Sequence, residues 1–338
     1  MEHYSKSLVG IRDQLGIHLL AEDAAEIASQ TWLQLLARED DLDAVAVTLY
    51  FLAWTDLLLS RQASLRRMLS LEATLLDLGG HGQSHTLYVR MAVWFCFLDA
   101  RAALFCQGND RIIQSMGDDS GLMAAVEASY DFLQHEYSLL YPEEERRRDE
   151  AHKPLYVAMC RLVALLGKLS RNGGDKTDEC HVMASLRDIQ RNIESINEAT
   201  AAENKVFSTY LTTSALFHAV KIYASRVYQP TESMYTKTAH AEKIITITGQ
   251  FYRRLKQPRT EAPPTKIWPV PLIMAAIEAK DWIYRDWALQ QMKSYYSAGK
   301  HFVNACAFVE KVHAAEEATG RRSNLHQIAE DMGDDFVI

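Results

Sequence analysis

The chain has 338 residues and a formal net charge of −8, with 48% apolar and 24% charged residues. That balance is ordinary for a globular protein, and the length suits one large domain or two smaller ones. An acidic surface repels phosphate, so this chain alone is not expected to grip nucleic acid. With only 15 Gly and 8 Pro, long helices are expected and a many-turned all-β fold is not.

Hydrophobic periodicity predicts helices throughout and no strand. The first two fall over 5–15 and 22–37, and the third over 41–59. The third follows Glu39-Asp40-Asp41-Leu42-Asp43, an acidic spacing that superficially matches the magnesium–pyrophosphate site of all-α terpene synthases. Those enzymes need a second Asn/Ser/Glu set; Asn192-Ile193-Glu194-Ser195-Ile196-Asn197-Glu198 has the residue types with shorter gaps. Capping and the helix dipole explain acids at that place more simply. Within the same helix Tyr50 and Trp54 are four apart and Asp56 follows, a spacing that would let them line one cavity. Aromatics at helical spacing are more often core.

The next helices are predicted over 61–78 and 84–106. Gly79-Gly80-His81-Gly82 closes the first in a tight turn; with no strand before it and no Lys-Ser/Thr after it, it is not a phosphate loop. His81 and His85 stand at i,i+4 with no third ligand nearby, so no metal is expected. The second helix places Arg90, Trp94, Phe97 and Arg101 on one face. They form either a pocket wall, with aromatics for contact area and arginines for an anionic ligand, or a core helix whose charges pair internally, with Asp99 reaching a neighbouring helix. Residues 44–59 and 87–106 are apolar enough to raise a membrane reading. The first is short and carries Asp56, and the second carries Arg90, Asp99 and Arg101, so no membrane association is expected.

Helices follow over 121–137, 143–171, 178–199, 201–228 and 232–256. Glu143-Glu144-Glu145 precedes Arg146-Arg147-Arg148, so this basic run should neutralise itself through i,i+3 and i,i+4 pairs. His218, five residues before Tyr223, and His240 in the next helix are the histidines suited to acid–base work. For His218, between Phe217 and Val220, a hydrogen-bonded core histidine is the simpler reading. Residues 257–271 hold five of the eight prolines and form an extended loop, in which Trp268 anchors and Pro269 and Pro271 direct the following helix. The last helices are expected over 270–297, 300–318 and 324–332, with Glu278 and Arg285 on one face of the first. The five cysteines, Cys96, Cys106, Cys160, Cys180 and Cys306, are dispersed and lack CxxC spacing, which fits a reducing compartment with neither zinc module nor disulfide framework. No linker and no fixed-period repeat divides the chain, so residues 1–338 are read as a single all-α domain of about a dozen helices.

The order of these parts resembles a known family. At the C-terminal end stand Ile267-Trp268-Pro269-Val270-Pro271, then Ala275-Ala276-Ile277-Glu278-Ala279, Arg285-Asp286-Trp287 and a terminal Met332-Gly333-Asp334-Asp335-Phe336-Val337-Ile338. Upstream lie a basic and small-residue segment before Leu75-Leu76, an apolar helix carrying Asp99 and then Arg101-Ala102-Ala103, and the stretch Ala219-Val220-Lys221-Ile222-Tyr223-Ala224-Ser225-Arg226-Val227. In this order they are similar to the helical regulatory domain of fungal zinc-cluster transcription factors, over about residues 25 to 338. The N-terminal cysteine-rich zinc cluster and the basic linker of that family are missing here. Either this is an excised regulatory domain or a complete cluster-less protein, and Met1 favours the second.

The resemblance implies an intracellular protein, nuclear or cytoplasmic, that senses a small metabolite or binds a regulatory protein, in the setting of a secondary-metabolic gene cluster. A homodimer is among the expected assemblies. It implies no cofactor, no metal and no catalytic residue. Its ligand-pocket candidates are Tyr50, Trp54, Arg90, Trp94, Phe97, Arg101, His218 and Tyr223, in a cavity expected between the helices at 44–59, 87–106 and 207–227. The alternative is a cofactor-independent cyclase, pericyclase or isomerase recruited from this domain, in which Arg90, Arg101, His218 and Tyr223 would be the catalytic candidates.

Overall fold

The structure is a computed structural model, and it describes residues 42–79, 86–105, 112, 119–137, 140–172, 176–196, 201, 206–228, 234–255, 269–333 and 336. The described residues form twelve α-helices and no strand, the all-α fold that the periodicity predicts. They are α1 (Leu42–Leu58), α2 (Gln62–Gly79), α3 (Thr86–Ala103), α4 (Asp119–Tyr137), α5 (Glu143–Asn172) and α6 (Lys176–Ser195). After these come α7 (Phe207–Tyr228), α8 (Met234–Leu255), α9 (Val270–Glu278), α10 (Trp282–Ser294), α11 (Lys300–Thr319) and α12 (Leu325–Glu330). The helices expected over 5–15 and 22–37, the His81/His85 turn and Trp268 lie outside the described residues.

Two helices are covered on nearly every side. α7 packs against α5, α6, α8 and α9, and buries Leu211, Leu216, Phe217, Val220, Ile222 and Tyr223. All nine residues of α9 are buried, held by α7, α8, α10 and α11. A helix almost without polar residues, as α9 is, needs such a position. One hydrophobic core runs from Ala53 on α1 to Phe336 beyond α12. Among the described residues no helix is long and apolar enough to cross a membrane.

α5 opens on Glu143, Glu144 and Glu145, which favour the positive end of the helix dipole. Arg146 pairs with Glu143 at 2.7 Å and with Glu150 at 2.9 Å, and Arg147 reaches Glu143 at 3.2 Å, all on exposed side chains. The basic run is thus a solvated, self-neutralising face, as its spacing predicts.

The single helix expected over 270–297 is two. Ala279 is extended (φ −63°, ψ 128°), and the Asp281 carboxylate caps α10 by accepting from the Ile283 N–H at 2.9 Å. An aspartate that satisfies a free helix-start N–H stabilises a new N-terminus better than a continued helix. Glu278 and Arg285 therefore do not share a helix face. Glu278 turns to Arg226 and Arg322, while Arg285 Nε donates to the Ala279 carbonyl at 2.6 Å. Likewise α7 begins at Phe207, after the non-helical Val206, and not at 201.

Gly299 stands where the chain turns into α11; a Cβ there would lie 2.6 Å from His301 Nδ1 and 3.1 Å from the Leu58 carbonyl. α11 ends as expected at Gly320, whose left-handed φ of 63° lets its N–H return to the Glu316 carbonyl at 2.8 Å. Beyond α12, Phe336 is 3% exposed and lies 5.2 Å from the Phe308 ring. Truncation from Gly333 onward is expected to cost about 1–3 kcal/mol, the worth of one large apolar side chain leaving the core. Urea unfolding of the shortened chain measures it, and an unchanged midpoint would mean that Phe336 contributes nothing.

Candidate functional site

The residues that helical spacing singles out on α1 and α3 meet across these two packed helices. The Tyr50 ring stacks on Trp54 (6.4 Å between centroids), tilts against Trp94 (5.5 Å) and stands edge-on to Phe95 (5.6 Å). An arginine lies at each side of this group: Arg90 over the Trp94 ring at 5.7 Å, and Arg101 over Trp54 at 5.6 Å. Arg101 is buried, and burial pulls it down to about 9, so it keeps its charge at neutral pH. Asp99, on another face of α3, does reach a neighbouring segment, where its Oδ2 accepts from the Ile112 N–H at 2.9 Å.

From Trp94 and Phe97 the aromatic band continues onto α5 and α4. Phe97 stacks on Tyr156 at 6.3 Å, and Tyr156 contacts both Tyr130 (5.2 Å) and the His152 ring (6.1 Å). Tyr130 Oη lies 2.5 Å from His152 Nδ1, and His152 Nε2 lies 3.0 Å from Thr209 Oγ1. Tyr141 donates to Asp149 beside them. Burial raises the Tyr130 and Tyr156 phenols and lowers the His152 imidazole, so these groups are neutral at physiological pH. Arg90 acts electrostatically on Tyr130, Tyr141, Tyr156 and His152, and Arg148 also acts on His152.

This arrangement has two chemical capacities. Aromatic faces between two guanidinium groups suit a flat, anionic organic ligand. The phenol–imidazole–hydroxyl chain can move a proton without a net charge change, because a neutral imidazole donates at one nitrogen and accepts at the other. The rings already touch one another, so any ligand would have to seat on their outer edge or part α1 from α3. The cavity between Leu122, Met123, Arg161, Ala164, Leu165 and Ser185 has about 10 Å³ of room, enough for one water, and none of the band residues lines it.

His218 and Tyr223 are elsewhere. α7 packs mainly on α5, α6, α8 and α9; Tyr223 meets Phe105 and His326, and His218 meets His240, rather than the Tyr50–Trp54–Trp94 band. Tyr223 is fully buried at the junction of α3, α5 and α12. His326 Nδ1 meets the Phe105 carbonyl at 2.8 Å, and a carbonyl only accepts, so that nitrogen carries the proton. Burial keeps His326 neutral; its Nε2 therefore accepts the Tyr223 O–H at 3.1 Å, and Tyr223 Oη accepts from Ser170 at 3.3 Å. This chain holds Phe105 in its left-handed conformation (φ 63°), with its ring stacked on Phe308 at 4.8 Å. His218 faces His240 across α7 and α8, with 2.9 Å between their Nδ1 atoms.

Several groups of consequence escape a reading by helical spacing. Tyr130, His152 and Thr209 lie on three helices, and no local pattern joins them. Glu72 on α2 is fully buried, with no hydrogen bond to either carboxylate oxygen among the described residues, and burial raises it to about 8. Its place between Leu71 and Ala73, before the apolar Leu75-Leu76, was the available signal. The buried network of Arg226, Glu278, Glu316 and Arg322 ties α7 to the C-terminal helices. Among the described residues no three His, Cys, Asp or Glu side chains come together as a metal ion would need. The acidic stretch at 39–43 lies outside the described side chains.

No family model matches this chain, and no curated protein or solved structure is matched by it.

Proposed function

We propose that the chain is a regulatory domain of the fungal zinc-cluster type, which binds a small, flat, anionic metabolite at the Tyr50–Trp54–Trp94 band and passes its occupancy to a regulatory partner in a secondary-metabolic setting. The observation that supports this reading most is the half-buried aromatic band with Arg90 over one indole and Arg101 over another. A ligand that parts α1 from α3 would favour one packing of these helices over another, which is how binding becomes a signal. In that role the protein would act in the nucleus or the cytoplasm.

Thermal-shift and calorimetric titration with aromatic carboxylates tests the proposal. Arg90 is only half-buried, so Arg90→Ala is expected to keep the melting temperature close to that of the parent chain. It should weaken binding about tenfold, the worth of one cation–π or charge contact. Equal affinity in parent and variant would remove the band from consideration.

The Tyr130–His152–Thr209 chain favours a second reading, a cofactor-free isomerase or cyclase. Mass analysis after incubation separates the two. A sensor returns its ligand unchanged, whereas a catalyst converts it and loses conversion in His152→Gln while still binding.

A further inference from the structure

α7 and α8 carry the same four-residue pattern, His218-Ala219-Val220-Lys221 and His240-Ala241-Glu242-Lys243. In a helix the first and fourth residues share a face. The two helices run antiparallel: Phe207 and Leu211 at the start of α7 pack with Ile247 and Phe251 late in α8. The imidazoles therefore meet at one level, with Lys221 one turn toward the α7–α8 connection and Lys243 one turn away from it. Both lysines act electrostatically on His218, and Lys221 acts on His240.

We propose that His218, Lys221, His240 and Lys243 form a binding site for a small divalent oxyanion of the phosphate or sulfate kind. A chain of net charge −8 has gathered three half-buried basic side chains, His218, Lys221 and His240, with the exposed Lys243 beside them. The acid acting there is Glu194 at the end of α6, which faces Lys221. Glu242, beside Lys243 in sequence, is exposed. Among the described residues the charges acting on His218 are His240, Lys221 and Lys243, so α5, α6 and α9 add none to the imidazole pair itself.

Like charges so placed oppose one another unless an anion completes the site. The Nδ1–Nδ1 contact of 2.9 Å holds one proton, with one ring donating and the other accepting. Burial and the neighbouring cations hold His218 down at about 3 and lower His240 as well, so the empty site is a neutral pair between two lysines. An oxyanion reverses that balance. A second proton enters from solvent, the contact becomes repulsive, the rings part, and both Nδ1–H groups donate to oxygen, with the lysines closing from either side along the helix axes. Anion binding and proton uptake are then one event.

Sulfate is the suitable first probe, because it is a dianion at both pH values used. Calorimetric titration of the full chain, in buffers of different ionisation heat, should show proton uptake on binding. Affinity should fall about tenfold per pH unit, roughly a hundredfold between about pH 6 and about pH 8, as uptake of one proton per anion requires. Lys243 is exposed, so Lys243→Gln should fold normally and weaken sulfate severalfold. His218→Gln should abolish the proton uptake, and Lys300→Gln, at an exposed lysine of α11 outside both sites, should change neither. Inorganic phosphate against a phosphate monoester then distinguishes a free ion from an esterified one. Absence of sulfate binding at millimolar concentration, or binding indifferent to both pH and Lys243→Gln, would overturn the proposal.

Discussion

Glu72→Gln is expected to flatten the pH dependence of stability between about pH 5 and about pH 8, by roughly 3–5 kcal/mol across the window. In the folded chain the carboxyl is wholly buried, with no hydrogen bond among the described residues, and desolvation raises it from 4.5 to about 8. Between those two values the folded state holds the proton and the unfolded state has lost it. Stability then falls as pH rises, by about 1.4 kcal/mol per unit, and levels off only once the buried group ionises. The contribution is fully present below the unfolded value and is lost on rising through the folded one. Gln has no proton to lose, so the variant lacks this slope. Asp56 and Glu278, also raised by burial, remain in both proteins and cancel in the comparison. Urea unfolding of both chains across the window gives the difference, and parallel curves would show that Glu72 is hydrated or paired after all.

The second large effect concerns the buried ion network. Glu278 accepts from Arg226 and, at 2.9 Å, from Arg322, with its own side chain only 2% exposed. Arg226 also reaches Glu316 at 3.0 Å, and Glu316 accepts from the Ser323 N–H at 3.1 Å and hydroxyl at 3.2 Å. Four parts of the chain, α7, α9, α11 and the turn before α12, are thereby joined. Glu278→Ala withdraws the shared carboxylate from two buried guanidinium groups. The expected cost is about 3–5 kcal/mol, the range for breaking a buried pair from one side. A Glu278→Met/Arg322→Met double variant should lose less than the sum of the single changes, because no buried charge then lacks its partner. If Glu278→Ala unfolds within about 1 kcal/mol of the parent, water must reach the network and its burial is incomplete.

Much of the helical layout was legible because helix formation is local. Apolar residues recurring at helical spacing marked α1, α3 and α5 to within a few residues and the end of α7, and Gly320 marked the end of α11 through its freedom at positive φ. The miss at 279–281 was also local. Asp281 is a helix-start residue inside a stretch whose apolar pattern continues through it, and periodicity alone does not count the cap.

The candidate site was legible in part for the same reason. Arg90, Trp94, Phe97 and Arg101 share a face of α3, and Tyr50 and Trp54 share a face of α1. Helical spacing determines both faces without reference to the rest of the chain. Which residues meet across helices is decided by packing angle and register, set by the summed burial of many side chains and not by any short segment. So the sequence by itself determined an acidic, all-α chain, its helix faces and its self-neutralising α5 terminus. Only the tertiary structure decided that Tyr130, His152 and Thr209 form one chain, that His218 turns to His240 and away from the aromatic band, and that His326 holds Phe105 and Tyr223 from the far end of the sequence. Those partners stand 22 to 221 residues apart, where local propensity carries no information about contact.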